Sequence, residues 1–107
     1  MFMKEITVQE LKEKLDKGED FQLIDVRETY EFEVCNLSGE LIPMGAIFEH
    51  IDRIARDKDV IIHCKSGGRS GVVVQELERR FGFTNLYNLR GGILAYAREI
   101  DHSIPTY

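Results

Sequence analysis

The chain has 107 residues, of which 43% are hydrophobic, and this fits one domain whose core needs no disulfide staples. It carries 14 Lys and Arg residues against 19 Asp and Glu residues, which gives a net charge of −5. This acidic balance argues against nucleic acid as a partner and against binding to an anionic membrane. Any anion site must therefore be local and built from a few residues.

The start of the chain and its two cysteines predict a compartment. The stretch "MFMKEITVQE" has no apolar run long enough for a signal peptide, and no stretch approaches the length of a membrane-spanning helix. We therefore expect a cytoplasmic location, where Cys35 and Cys64 are free thiols rather than a bridge. No His and Cys spacing predicts a metal site, and we expect no cofactor.

The first half of the chain alternates short apolar runs with amphipathic segments. "KEIT" predicts a strand, and Thr7 with Glu10 forms a capping box that starts a helix. "FQLIDV" predicts a second strand, "ETYEFEV" one or two helical turns, and "GELIPM" a strand or an extended turn. "AIFEHIDRIA" then places Ile47, Ile51 and Ile54 on one face of a predicted helix.

The second half continues the alternation. "DVIIHC" predicts a buried strand, and "SGVVVQELERRFG" predicts a helix because Val73, Leu77 and Phe81 recur every four residues. "NLYNL" predicts a strand and "GILAYAREI" the last helix. The pattern indicates a single α/β domain over residues 1–107, with a central, mostly parallel sheet flanked by helices on both faces. Ligands of such folds bind beyond the carboxyl ends of the strands.

Cys64 stands at the carboxyl end of a predicted strand and opens the loop "CKSGGR". Two glycines let backbone N–H groups turn inward, and the following helix adds the positive end of its dipole. Two cationic side chains in this loop also favour the thiolate, which is the nucleophilic form. We predict Cys64 as the catalytic nucleophile, with a substrate-binding loop of Lys65, Ser66, Gly67, Gly68 and Arg69.

A nucleophilic thiolate in an anion cradle suits two chemistries. It can accept a sulfur atom as a persulfide, or it can attack phosphorus and hold a phospho-cysteine. The spacing here is C-x-x-x-x-R, one residue shorter than in tyrosine phosphatases, and a smaller ring of N–H groups suits sulfur better than a tetrahedral phosphate. A phosphatase or arsenate reductase is therefore the less favoured alternative. A nucleotide phosphate loop fits poorly, because the order G-x-x-x-x-G-K-[ST] is missing.

Three motifs together resemble those of the rhodanese-like (sulfurtransferase) domain family. They are "LIDVRE" at 23–28, "VIIHCKSGGRS" at 60–70 and "LYNLRGGILAY" at 86–96, and the resemblance covers essentially the whole chain. It implies a parallel sheet between helices, with Cys64 as the sulfur carrier inside loop 65–69. It also implies thiosulfate or a persulfidated protein as donor, and cyanide, a thiol or a thiocarboxylate-forming protein as acceptor.

Two further stretches, "EFEVCNLSGELIPMGAI" and "AYAREIDHSIPTY", resemble the C-terminal rhodanese-like domains of molybdopterin-synthase and thiamine-type adenylyltransferases. Those domains pass sulfur to a small ubiquitin-like carrier, so the resemblance implies a small sulfur-carrier protein as a possible acceptor. The family's common "H-x-x-G-A" after the second strand is replaced here by "CNLSGELIPMGAI". This departure bears on substrate preference rather than on fold.

Supporting roles are predicted for Asp25, Arg27 and Ser70. Asp25 and Arg27 follow another strand, where they could line the rim of the site or form a buried polar network, and the resemblance favours a structural role for Asp25. Cys35 is expected to be a small apolar filler, although a Cys35–Cys64 redox pair is an alternative. A non-catalytic rhodanese-like binding module is another alternative.

Overall fold

The sheet consists of five parallel strands in the computed structural model, which describes residues 3–107. The strands are β1 (Glu5–Ile6), β2 (Gln22–Asp25), β3 (Glu40–Leu41), β4 (Val60–His63) and β5 (Leu86–Leu89). They lie in the order β1-β5-β4-β2-β3. The central strand β4 is buried over its whole length, as expected for an apolar, β-branched strand covered on both faces. Cys64 directly follows this strand, at the centre of the carboxyl edge.

Four helices cover the two faces of the sheet: α1 (Val8–Asp16), α2 (Thr29–Val34), α3 (Gly68–Phe81) and α4 (Gly92–Glu99). The apolar residues of α1 and α4 pack into one core cluster, and those of α3 pack into another. Successive residues of β4 contribute to opposite clusters, Ile61 to the first and Ile62 to the second. The predicted α/β class with a parallel sheet is confirmed.

Local signals position most helix ends where the sequence predicts them. The capping box at the start of α1 is present, with the Glu10 N–H donating to Thr7 Oγ1 over 3.1 Å and the Thr7 N–H donating to Glu10 Oε1 over 2.9 Å. Helix α3 ends at Gly82, which has a φ of 72°. Its start differs from expectation, because α3 begins at Gly68 rather than near Ser70. The loop that carries the site is therefore shorter than predicted.

The predicted helix over "AIFEHIDRIA" is wrong. Residues Ile47–Glu49 and Ile51–Arg53 form two separate 3-10 turns. His50 between them has a φ of −130° and a ψ of 39°, which interrupts the helical path. Isoleucine, phenylalanine and histidine are modest helix formers, and neither turn has a side-chain cap. The apolar side is nevertheless used as predicted, since Ile47 and Ile54 are buried.

Candidate active site

The backbone that follows Cys64 is fixed by the start of α4. The Ile93 N–H donates to the Cys64 carbonyl over 3.0 Å, and the Leu94 N–H donates to the Lys65 carbonyl over 3.1 Å. A Cβ on Gly92 would lie 2.6 Å from the Cys64 carbonyl oxygen and closer still to that of Lys65. Only glycine allows this approach, and Gly92 also has a φ of 62°. The "RGG" motif therefore docks α4 onto the peptide groups beside Cys64.

The Cys64 sulfur lies inside a ring of hydrogen-bond donors. The Gly67 N–H donates to Sγ over 3.1 Å and the Ser70 N–H over 3.4 Å, and the Ser70 hydroxyl lies 3.3 Å away. Gly67 turns the chain at a φ of 107°, immediately before the first residue of α3. The cradle thus combines a tight turn with a helix N-terminus, an arrangement that favours an anion.

The cradle lowers the pKa of the Cys64 thiol below its ordinary value. Burial acts in the opposite direction, because it disfavours the charged thiolate. Hydrogen bonds from the Ser70 hydroxyl and from the N–H groups of Ser70, Gly67 and Ser66 outweigh that effect. The residue is only 1% exposed. A reactant must therefore reach this sulfur inside the protein and not on its surface.

Asn88 on β5 supports the cradle through hydrogen bonds with Gly67 and Ser70. Its Nδ2 group donates to the Gly67 carbonyl over 3.2 Å, and this contact orients its Oδ1 toward the Ser70 hydroxyl, 2.5 Å away. Ser70 and Asn88 are both buried. One side chain thereby connects the neighbouring strand to the turn and to the first turn of α3.

Arg69 does not point freely toward an incoming anion. Its guanidinium forms two hydrogen bonds with the Glu31 carboxylate, over 2.7 and 2.9 Å. This contact, more than any other, holds the pKa of Glu31 at about 2 against the opposing effect of burial. Among residues 3–107, Lys65 has no carboxylate partner and lies instead over the ring of Tyr107, 4.5 Å from its centroid. Lys65 thus contributes the less compensated positive charge.

Asp25 and Arg27 form a buried ion pair behind the loop. Both side chains are fully buried, and Arg27 Nη2 lies 2.7 Å from Asp25 Oδ2. The remaining Arg27 donors reach the Cys35 carbonyl over 2.7 Å and the Tyr107 hydroxyl over 2.8 Å. The pair therefore ties β2 to the end of α2 and to the last residue of the described chain. Of the two roles considered from the sequence, this geometry is that of a polar network.

His63 and Cys35 are buried beside this network and lie outside the cradle. Burial lowers the pKa of His63, so the ring is neutral, and neither ring nitrogen has a hydrogen-bond partner among residues 3–107. Cys35 Sγ lies 4.0 Å from Arg27 Nη1. Both cysteines are free thiols. The burial of Cys35 fits its expected role as a small filler in the core.

Sequence reasoning identified the loop and missed three residues that organise it: Glu31, Asn88 and Tyr107. Each is distant in sequence from the loop and reaches it only through the fold. The capping pattern that starts α2 gave a signal at Glu31, whose carboxylate also accepts from the Glu28 N–H over 3.0 Å. That pattern alone could not indicate the partner on α3.

Within 3–107, no group of His, Cys, Asp and Glu side chains is arranged to hold a metal ion. Within the same range, no helix is long and apolar enough to cross a membrane.

The sequence and the fold are those of a known family. Residues 7–99 match the family model of the rhodanese-like domain, and the chain belongs to that family. A rhodanese-like domain protein from Staphylococcus aureus superposes with a TM-score of 0.82 at 32% identity, over 98% of this chain and 99% of that one.

Two curated relatives of the chain are named as sulfurtransferases. A sulfurtransferase from Allochromatium vinosum is 36% identical over 102 residues, which cover 94% of this chain and 92% of that protein. The probable adenylyltransferase/sulfurtransferase MoeZ of Mycobacterium tuberculosis is 32% identical over 95% of this chain, and the chain spans 26% of its length. Several relatives are longer in this way, and the chain spans 24% to 38% of them. The similarity to rhodanese-like domains of adenylyltransferases is confirmed, and the family supports sulfur transfer in general.

Proposed function

We propose that this chain is a sulfurtransferase that carries sulfane sulfur as a persulfide on Cys64. The observation that carries the proposal is the ring of donors from Gly67 and Ser70 around Cys64 Sγ. Such a ring stabilises a thiolate before reaction and an anionic persulfide after it, because both hold negative charge on sulfur. The lowered pKa of Cys64 supports the same assignment.

The first half of the reaction loads sulfur. The Cys64 thiolate attacks the outer sulfur of thiosulfate, a new S–S bond forms, and the original S–S bond breaks. Sulfite leaves with the electron pair. Lys65 attracts the dianionic donor, while Arg69, held by Glu31, shapes the wall of the cradle. A persulfidated protein is the alternative donor, and it would release its own thiolate in the same way.

The second half of the reaction transfers the sulfur and regenerates the free Cys64 thiolate. A nucleophilic acceptor attacks the outer sulfur of the Cys64 persulfide, and the Cys64 thiolate leaves with the electron pair of the broken S–S bond. With cyanide the product is thiocyanate. A small sulfur-carrier protein is a candidate natural acceptor, supported by the similarity to MoeZ. A cytoplasmic location stays a prediction from the sequence.

Thiocyanate formation from thiosulfate and cyanide tests this function. We expect turnover by the wild type and none by Cys64→Ser, whose hydroxyl cannot form a persulfide. Cys35→Ser is the matched control, because it makes the same replacement at the other cysteine, whose sulfur lies outside the cradle. Full activity in Cys64→Ser would contradict the proposal. Phosphate release from an aryl phosphate by the wild type would instead support the phosphatase alternative.

A non-catalytic binding module is the second candidate function. The observation in its favour is that the cradle is closed: Cys64 is 1% exposed and the Arg69 guanidinium is occupied by Glu31. A module of this kind would leave the Cys64 thiol unmodified by thiosulfate and by persulfidated proteins. Loss of thiocyanate formation together with an unmodified Cys64 would favour it.

A further inference from the structure

The segment after α4 folds back against the cysteine loop and contacts it through Tyr107. The Tyr107 hydroxyl donates to Glu31 Oε2 over 2.8 Å and accepts from Arg27 Nη1 over 2.8 Å. The Lys65 ammonium group lies over the Tyr107 ring, at 4.5 Å from its centroid. Tyr107 therefore contacts the first cation of the loop directly and the last one, Arg69, through Glu31.

We propose that Tyr107 is a specificity-determining residue that closes one side of the Cys64 cradle. It would admit a small anionic sulfur donor and exclude a protein-borne one until the segment is released. This inference rests on the proposed sulfur transfer for its substrates, but not for its geometry. Tyr107 connects Lys65 to Glu31 on the α2 side, and Cys64, which directly precedes Lys65, is 1% exposed.

Two hydrogen bonds of the Tyr107 hydroxyl, with Arg27 and Glu31, stabilise the closed position of the segment. Arg27 is fully buried, and within residues 3–107 its Nη1 has, apart from Tyr107, only the Glu31 carbonyl at 3.4 Å and the Cys35 sulfur at 4.0 Å. Withdrawal of Tyr107 leaves a charged donor that water must then satisfy. The other partner is the Glu31 carboxylate, so both hydrogen bonds involve charged groups and are stronger than neutral ones.

The protonation states keep the closure in place through the neutral range. Burial raises the pKa of Tyr107, so its hydroxyl retains the proton that it donates. The pKa of Glu31 is about 2, because Arg69 above all stabilises its carboxylate. Arg27 and Arg69 stay charged. The groups facing Tyr107 thus change little in charge between mildly acidic and neutral pH, and release must come from competition by a partner.

Cysteine labelling with two maleimides of different size tests the closure without any sulfur transfer. N-ethylmaleimide and a polyethylene-glycol maleimide share one reactive group, so the ratio of their rates at Cys64 reports access rather than thiol reactivity. We expect Tyr107→Ala to raise the rate of the large reagent about tenfold, the effect of losing hydrogen bonds to charged groups, and that of the small one less than about twofold. Peptide mapping assigns the label to Cys64 and not to Cys35.

Two further variants complete the test. Tyr107→Phe keeps the ring near Lys65 and removes both hydrogen bonds, so it should also raise the rate of the large reagent severalfold. Tyr30→Ala is the matched control, since Tyr30 is 68% exposed and should leave both rates unchanged. Circular dichroism checks that each variant is folded. An unchanged ratio of rates in folded Tyr107→Phe and Tyr107→Ala overturns the proposal.

Sulfur transfer then separates this inference from the function on which it rests. We expect Tyr107→Ala to accept sulfur faster from a persulfidated protein, with little change in kcat/KM for thiosulfate. A changed labelling ratio without any sulfur transfer would keep the closure and refute the sulfurtransferase. Sulfur transfer with an unchanged labelling ratio would keep the sulfurtransferase and refute the closure.

Discussion

The Ser70 hydroxyl faces two acceptors, the Cys64 sulfur and the Asn88 side-chain oxygen, and it has one proton to donate. With a Cys64 thiol, the hydroxyl can donate to Asn88 and accept from S–H. With a thiolate, a donor turned toward sulfur is worth more, because the acceptor is charged. The ionisation of Cys64 is therefore coupled to the orientation of Ser70.

Substitution of this hydroxyl should change the pH dependence of cysteine reactivity. Ser70→Ala removes a hydrogen bond that lowers the pKa of Cys64, so the pKa rises toward the ordinary value. At neutral pH, below that pKa, the thiolate fraction and the alkylation rate by iodoacetamide should fall by up to about tenfold. The rate profile against pH shifts to higher pH. Ser66→Ala keeps the profile of the wild type, and an unshifted profile in Ser70→Ala would refute the coupling.

The sequence predicts some residues of the site and not others. "HCKSGGRS" predicted the turn after Cys64 because the backbone conformation of its glycines is a local property. Glu31 and Asn88 were missed because their partners, Arg69 and Ser70, lie 38 and 18 residues away. Charge and hydrogen-bonding capacity can be read from sequence, but the pairing of such groups is decided by the sheet order.

At the scale of elements, α4 acts as a support for the loop. The N–H groups at the start of α4 donate to the carbonyls of Cys64 and Lys65. This fixes the loop backbone in an orientation in which the Gly67 N–H donates to the Cys64 sulfur. The sequence predicted a tight turn at "RGG" near the loop, and the structure gives the physical reason in the close approach at Gly92. By contrast, the weak helix formers at 47–54 gave a helical pattern that the chain realises only as two turns.

A methyl group at position 92 should displace this support. Gly92→Ala meets the carbonyl oxygens of Cys64 and Lys65, and we expect a loss of about 2 kcal/mol or more in the free energy of unfolding, beyond the cost of a positive φ. Gly18→Ala is the matched control, since Gly18 has a φ of 64° and no neighbour within 4 Å of an added Cβ. Urea unfolding measures both variants. Equal losses in the two would show that α4 does not press on the loop.

Over the whole molecule, a polar network runs from β2 through α2 to α3 and the final segment. It contains Asp25, Arg27, Glu31 and Arg69, with Tyr107 between the second and third. The sequence predicted the α/β fold from its alternation of strands and helices. It gave a buried polar network at Asp25 and Arg27 as one of two roles, but it could not extend that network to Glu31, Arg69 and Tyr107, because contacts between residues distant in sequence carry no periodic signal.

The buried ion pair of this network should be important for global stability. Arg27→Met leaves Asp25 buried without its partner, and breaking such a pair costs about 3–5 kcal/mol. The control is Arg79→Met, whose side chain is 64% exposed and pairs at the surface, so it should change stability little. Chemical denaturation measures both. A loss in Arg27→Met no larger than that of the control would contradict a structural role for the pair.

The ion pair between Glu31 and Arg69 makes the free energy of unfolding depend on pH in the acidic range. The pKa of Glu31 is lowered from 4.5 to about 2, so the pair stabilises the fold above pH 4.5, and this contribution is lost as the pH falls through about 2. Glu31→Gln should lower the free energy of unfolding by about 2 kcal/mol near neutral pH, a value reduced for the partly exposed Arg69. The difference in the free energy of unfolding between Glu31→Gln and the wild type should become smaller as the pH is lowered. A difference that is constant with pH would contradict this, and the exposed Glu13→Gln is the control.

The central claim is that Cys64 holds a sulfur atom, and intact mass spectrometry after incubation with thiosulfate tests it most directly. We predict that the wild type gains the mass of one sulfur atom, that cyanide removes it, and that peptide mapping places it on Cys64. Cys64→Ser should gain nothing, while Cys35→Ser should gain the sulfur like the wild type. An unmodified wild type, or a sulfur atom retained by Cys64→Ser, would contradict the account.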